Sequence, residues 1–314
     1  MCLLCVAAAA AVDAPSAAPA AAAAGPQFIV ASFVSPVLFT AFGFNVYSYG
    51  LFVAGGLGVA LFFFAGDLRR AGVGLDEMNC FFVFLFGFAV GSKAHLALSA
   101  VGAGEPLTWK AFDLRTGHSF MGSQIGAVLC MLAYIRRHKV GILQFLDILL
   151  PCCLIGHAVG KIGCFLSGDG CYGPPANPEH VPWAMSFPNA AVPTKVPVHP
   201  TPIYEGFCSC MVQLLARLML PLPQAPGKFG RRTAVILVLY GVERVLLEQF
   251  RRHPPIHLFG GLTEYQVVAL GLLAIGATIE LFVRTRSLAA VVDDGAGDPS
   301  TKVKAGKKVR RKDE

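Results

Sequence analysis

Apolar residues along this chain come in unbroken runs more often than in stripes. Leu51 to Gly66 and Phe81 to Val90 are apolar at every position. A helix facing water would show a polar stripe there, whereas one facing lipid need not. Seven such runs approach the ~20 residues that a bilayer core requires: 48–66, 78–99, 119–136, 145–166, 203–221, 233–252 and 264–284. Pro36, Gly43 and Asn45 break the apolar stretch 26–47, which reads as an arm against the bundle, with an eighth span as the alternative. The pattern predicts an all-α fold, a polytopic membrane helix bundle of about seven transmembrane helices with short outer arms and loops.

Composition agrees. Of 314 residues 55% are hydrophobic and only 14% charged, too little charge to coat a soluble domain of this length. Residues 1–25 are mostly alanine and precede the first basic residue, Arg69. That argues against an Arg-rich transit peptide and against the positive start of a secretory signal. Residues 1–25 are expected to be a disordered or processed leader, 26–286 a seven-span domain, and 287–314 a basic, disordered cytoplasmic tail. Cys80, Cys130, Cys152, Cys153, Cys208 and Cys210 lie in apolar helical runs, where cysteine acts as a small hydrophobe. No metal and no cofactor are expected. Cys164 and Cys171 flank a short Gly-rich turn and could meet in a disulfide.

Charge sets the orientation. One set of alternating loops, with the tail, holds 18 basic residues and the opposite set 5, which are Lys110, Arg115, Lys195, Arg251 and Arg252. The positive-inside rule then puts the amino end outside and the tail in the cytoplasm or its topological equivalent; an inner (plasma) membrane is the expected location. The net charge of +7 is thereby accounted for by orientation and contact with membrane lipid, with no nucleic acid as partner.

Three basic residues remain inside spans: Lys93, Lys161 and Arg244. Counted from the basic end of each span they lie at roughly 22, 24 and 16 Å, all in the outer half. Similar depth on three helices suggests one site. Lys93 and Lys161 can also snorkel to the outer headgroups, but Arg244 is too near mid-membrane for that. On the sixth span Tyr240, Arg244, Glu248 and Arg251 fall within about 80° of one another, with Glu243 beside them. The stripe reads either as a structural ion pair between helices or as a phosphate clamp with its own counter-ion, because guanidinium forks match phosphate oxygens.

Two further stretches carry chemistry. Gly156, Gly160 and Gly163 let a helix or a headgroup approach closely, and Gly168 and Gly170 bracket Asp169 at a sharp turn beyond Lys161. His199-Pro-Thr-Pro-Ile-Tyr204-Glu205 opens the fifth span, with Glu205 in the first turns, where a carboxylate favours the helix dipole. The third span opens with His118-Ser119-Phe120-Met121-Gly122-Ser123, a packing seam by its Gly and Ser spacing.

Over about residues 30–286 these motifs, in their order and spacing, resemble the bacterial prolipoprotein diacylglyceryl transferases. The resemblance rests on Tyr49-Gly50-Leu51, Gly91-Ser-Lys93, Ser119-Phe-Met-Gly122, Gly160 to Gly173, His199 to Glu205, and Tyr240, Arg244, Glu248 and Arg251. It implies transfer of diacylglyceryl from phosphatidylglycerol to the lipobox cysteine of a preprolipoprotein, with expulsion of glycerol phosphate. On that reading Arg244 and Lys161 hold phosphate with Arg251 and Lys93 as further cations, and Glu248 orients Arg244. Tyr49 and Tyr240 line the pocket, Gly168 shapes the turn, and Asp169 or His199 handles the proton.

The chain departs from the family pattern in places. Met121 stands where the family carries a histidine often given a catalytic role, and His118, three residues earlier, is the candidate substitute. Lys161 replaces an arginine fork with a point charge, Cys164 replaces an asparagine, and Asp169 replaces a glutamate. Two other readings keep the buried cations: a non-catalytic phospholipid-binding homologue and an anionic solute transporter. The second lacks the internal repeat and interrupted helix pair that transporters show.

Overall fold

The structure is a computed structural model that describes residues 28–41, 43–102, 119–222, 229–251 and 261–295. Seven α-helices lie among them: α1 (Ser48–Arg70), α2 (Glu77–Gly102), α3 (Phe120–Arg137), α4 (Ile142–Ser167), α5 (Thr201–Met219), α6 (Arg231–Leu247) and α7 (Glu264–Gly295). Each coincides with one apolar run. Four of them, α1, α2, α4 and α7 as far as Arg286, are long and apolar enough to cross a membrane.

The arm is not helical, and the fold is not purely α. Its residues form β1 (Ile29–Val30) and a hairpin of β2 (Val37–Ala41) with β3 (Phe44–Tyr47). β1 pairs in parallel with β4 (Met185–Phe187), which pairs antiparallel with β5 (Thr194–Val198). This small sheet caps the bundle over Ala31, Val34, Phe187 and Val198, with Phe165 of α4 beneath it. Strands of two to five residues inside an apolar stretch carry too few alternations to be read from periodicity.

Helix pairing follows small residues. α1 crosses α4 where a Cβ on Gly56 would stand 2.6 Å from the Gly156 carbonyl oxygen. α2 meets α3 in the same way, a Cβ on Gly87 falling 2.6 Å from the Gly126 carbonyl. Backbones in such contact gain packing that lipid tails cannot supply. α4 continues onto α5, and α6 packs on α7.

At the end carrying Arg69, Arg70 and Arg137, polar groups buried between helices fasten the bundle. Asp67 of α1 pairs with Arg217 of α5 at 2.7 Å. Asp147 of α4 accepts from the backbone N–H groups of Gly230 and Thr233, each at 2.7 Å, and so caps α6 from another helix. Arg232 is buried against the Leu220 carbonyl at 2.8 Å. Arg217 and Arg232, counted above with the loops, are therefore internal.

Candidate functional site

The opposite end holds a second buried charge cluster, and its centre is Glu205. α5 begins at Thr201 with proline in its first turn, which suits the missing N–H and fixed φ of that residue. Thr201 Oγ1 donates to the Cys171 carbonyl and ties the start of α5 to the preceding turn. Glu205 is the fifth residue of the helix, past the turn where a carboxylate gains from the dipole. Its partners are side chains instead.

Lys161 Nζ of α4 stands 2.6 Å from Glu205 Oε2, and both side chains are 1% exposed. Arg244 Nη1 of α6 lies 3.5 Å from Glu205 Oε1, and Arg251 pairs with the same oxygen. Arg244 also reaches Glu248 Oε2 at 4.0 Å, and its guanidinium lies over the Tyr265 ring of α7, 5.5 Å from the centroid. Glu248 Oε1 in turn accepts from Thr263 Oγ1 at 2.7 Å. These ion pairs join three cations and two carboxylates among the described residues. Glu243, one step round α6, accepts from Ser209 Oγ at 3.2 Å.

Local backbone puts Arg251 in this set. α6 stops at Leu247 and tightens into a 3-10 turn, Glu248–Phe250, after which Arg251 is extended at φ −128°, ψ 158°. A continuous helix would have kept Arg251 on the stripe of Arg244. The tighter turn and extended residue bring it to the same carboxylate from another side. Gly173 makes room for this turn, because a Cβ there would stand 2.9 Å from His199 Cβ and closer still to the Phe250 carbonyl.

His199 sits beside the cluster, just before α5. Its Nδ1 is 3.3 Å from Tyr204 Oη, whose hydroxyl also takes the Trp183 Nε1–H at 2.5 Å, and its ring packs against Phe250 at 5.2 Å. Burial lowers the His199 pKa below the ordinary 6.5, so the neutral imidazole prevails at neutral pH. Gly168 ends α4 in the left-handed conformation, φ 60°. In the turn that follows, Asp169 Oδ1 accepts from the Cys171 N–H at 3.1 Å, while Oδ2 is buried with no hydrogen-bond partner among the described residues.

Of the residues singled out from the sequence, Lys161, Arg244, Glu248 and Arg251 come together, with His199 adjoining. Tyr240 is buried in the core between α4, α5 and α6 with Leu154, Val212 and Ile236, its ring 6.5 Å from that of His157. Tyr49 lies at the start of α1, where that helix meets Gly163 of α4. Lys93 is buried on α2, which pairs with α3, next to Ser92, whose Oγ accepts from the Ser119 N–H at 2.9 Å. His118 lies outside the described residues. Glu205 was read only as a dipole partner. The signal for its larger role is a carboxylate at the outer end of an apolar run, set against Lys161 and Arg244 in the same half of the membrane.

Comparison with known proteins places the chain in a family. Residues 36–282 match the family described as prolipoprotein diacylglyceryl transferase. A Clostridium tetani protein named phosphatidylglycerol–prolipoprotein diacylglyceryl transferase is 30% identical over 247 residues, 77% of this chain and 95% of that one. Proteins of the same name from Marinomonas and Methylococcus capsulatus are 33% and 34% identical over 170 and 167 residues. Those alignments cover 51% and 52% of this chain and 58% and 60% of theirs. With most of its length matched, and with its buried cations drawn from the motifs of that resemblance, the chain belongs to the prolipoprotein diacylglyceryl transferase family.

Proposed function

We propose that the protein is a phosphatidylglycerol–prolipoprotein diacylglyceryl transferase working in lipoprotein biosynthesis, with phosphatidylglycerol as donor and the lipobox cysteine of a preprolipoprotein as acceptor. The observation that carries this reading is the convergence of Lys161, Arg244 and Arg251 on the buried carboxylate of Glu205. A charge cluster of this kind is costly inside a membrane and marks a site for an ionic ligand. The lipid phosphodiester binds among the three cations, with Glu205 and Glu248 as positioning residues. An apolar cavity of about 260 Å³ between α1, α2, α3 and α4, lined by Leu57, Phe64, Phe84, Met131, Phe145 and Leu149, suits acyl chains. It reaches Cys152 and Cys153, eight residues or more below Lys161 on α4, or ~12 Å along the helix.

In the reaction the acceptor thiol gives its proton to His199. The sulfur forms a bond to the glycerol carbon as that carbon's bond to the phosphate oxygen breaks. Glycerol phosphate leaves with the electron pair, and the cations stabilise the charge that develops on it. His199 is the better base because it is neutral, whereas Asp169 is engaged with the Cys171 backbone.

On this reading all seven helices span an inner membrane, with the amino end outside and the tail cytoplasmic, which sets the cluster at the outer leaflet. The test is complementation of a bacterium depleted of its own transferase, together with transfer of labelled diacylglyceryl to a lipobox peptide by purified protein. Rescue and transfer are expected. A well-inserted protein that binds phosphatidylglycerol and transfers nothing would establish the non-catalytic homologue instead.

A further inference from the structure

The sulfurs of Cys164 and Cys171 and a carboxylate oxygen of Asp169 lie within 4.8 Å of one another where α4 ends. We propose that these three side chains form a binding site for a borderline-soft divalent cation, zinc being the representative, which fastens the end of α4 to the turn that leads into α5.

The donor set is two thiolates and one carboxylate, the chemistry that zinc takes up at its four-coordinate sites. Around a tetrahedral zinc, ligand atoms ~2.0–2.3 Å from the metal stand about 3.3–3.8 Å apart. Atoms within 4.8 Å of one another therefore have at most about 1.5 Å to close. A disulfide requires an S–S separation of about 2.05 Å. It would also leave the second carboxylate oxygen of Asp169 as it is, buried and without a hydrogen-bond donor among the described residues. A cation answers that charge directly.

The backbone is already arranged for ligation. Gly168 turns the chain back at φ 60°, the Cys171 N–H holds Asp169 Oδ1, and the Cys171 carbonyl takes the Thr201 hydroxyl. Both cysteines are buried, Cys164 at 1% and Cys171 at 8% exposure. Binding releases the two thiol protons, so affinity rises with pH. With three protein ligands the fourth position belongs to water. Cys164 lies one turn beyond Lys161 on a similar face of α4, and Cys171 is tied to the first residue of the helix that carries Glu205. The ion would hold the two helices of the charge cluster at a fixed separation.

The test uses the full chain, purified in detergent under reducing conditions, stripped with a chelator and titrated with zinc alone against a competing indicator. One zinc per chain is expected, with a rise in thermal stability on binding. Cys164→Ser, Asp169→Asn and Cys171→Ser should each weaken binding on the order of 100-fold, while Cys210→Ser should not. Cobalt(II) added to the unaltered chain should give thiolate charge-transfer absorption, which keeps the question decidable if a variant misfolds. A chain that takes up no zinc and gives no such absorption would overturn the proposal. So would a Cys164–Cys171 disulfide found by mass spectrometry in protein alkylated directly in membranes. Neither result touches the transferase reading, which rests on Lys161, Arg244 and Arg251.

Discussion

Glu205 is where removal of one atom's charge has the widest effect. Three cations lean on its two oxygens, and it is enclosed between α4, α5 and α6. Glu205→Gln would leave them facing one another in a low-dielectric setting, which typically costs about 3–5 kcal/mol. A large loss of thermal stability in detergent is expected, and loss of transfer with it. Glu248→Gln should be milder, because it faces one of the three cations, Arg244 at 4.0 Å, and an amide oxygen can still accept from Thr263. Equal melting losses for the two variants would remove Glu205 from the centre of the site. Lys161→Met should abolish transfer while Lys161→Arg keeps much of it, since only the second retains a cation for phosphate. His199 supplies a pH signature. Burial favours its neutral form, so its contribution is complete above pH 6.5 and is lost as pH falls through the lowered pKa. Transfer should hold steady down to about pH 6.5 and decline only below it. His199→Gln should lower the plateau and remove that acid limb. An unchanged profile in the variant would assign the proton to another group.

At the scale of the elements, the helices were legible and their partners were not. An apolar run of about 20 residues leaves little choice but a helix, since every backbone polar group must be satisfied within the segment. β1 escaped because its pairing depends on Met185 and Ser186, more than 150 residues away in sequence, and the β2–β3 hairpin because its strands are only five and four residues long. Separation along the chain also hid the pairing of Arg217 with Asp67 and the centrality of Glu205, whose three partners come from two other helices and the turn after one of them. Their presence in apolar runs was visible, and their geometry was not. The α1–α4 crossing is where the element scale can be tested. A Cβ on Gly56 would overlap the Gly156 carbonyl, so Gly56→Ala forces the helices apart and should cost ~1–3 kcal/mol. Because α1 also meets Gly163 through Tyr49, transfer should fall as well. Gly55→Ala, one residue away with nothing within 4 Å of its Cβ, is the control and should be silent in both measurements.

Among the described residues, Lys93 aside, the buried charge falls into two networks at opposite ends of the bundle. Asp67, Asp147, Arg217 and Arg232 lie at the end of Arg69 and Arg137, and Glu205 with its cations lies at the other. The first network uses carboxylates to hold helix ends and buried arginines. The second gathers Lys161, Arg244 and Arg251 on one carboxylate, the arrangement on which the proposed phosphate site rests. Orientation decides which leaflet supplies the anion. Taking the internal Arg217 and Arg232 out of the 18 basic residues, and Arg251 out of the 5, leaves 16 against 4, so the charge bias survives what the fold reveals. The bias counts short loops and residues close to span ends, which the Arg69–Arg70 and Arg136–Lys139 turns satisfy. The expected topology therefore has the loop between α4 and α5 outside and the end of α7 in the cytoplasm. Reporter fusions or epitope tags placed at the exposed Glu179 and after Arg286 test it in intact cells. Accessibility from outside at Glu179 and protection after Arg286 is the expected pair. The reverse pair would place the Glu205 cluster at the cytoplasmic leaflet. There the acceptor cysteine of an exported preprolipoprotein would have to be reached before export, and the mechanism drawn from this end of the bundle would fail.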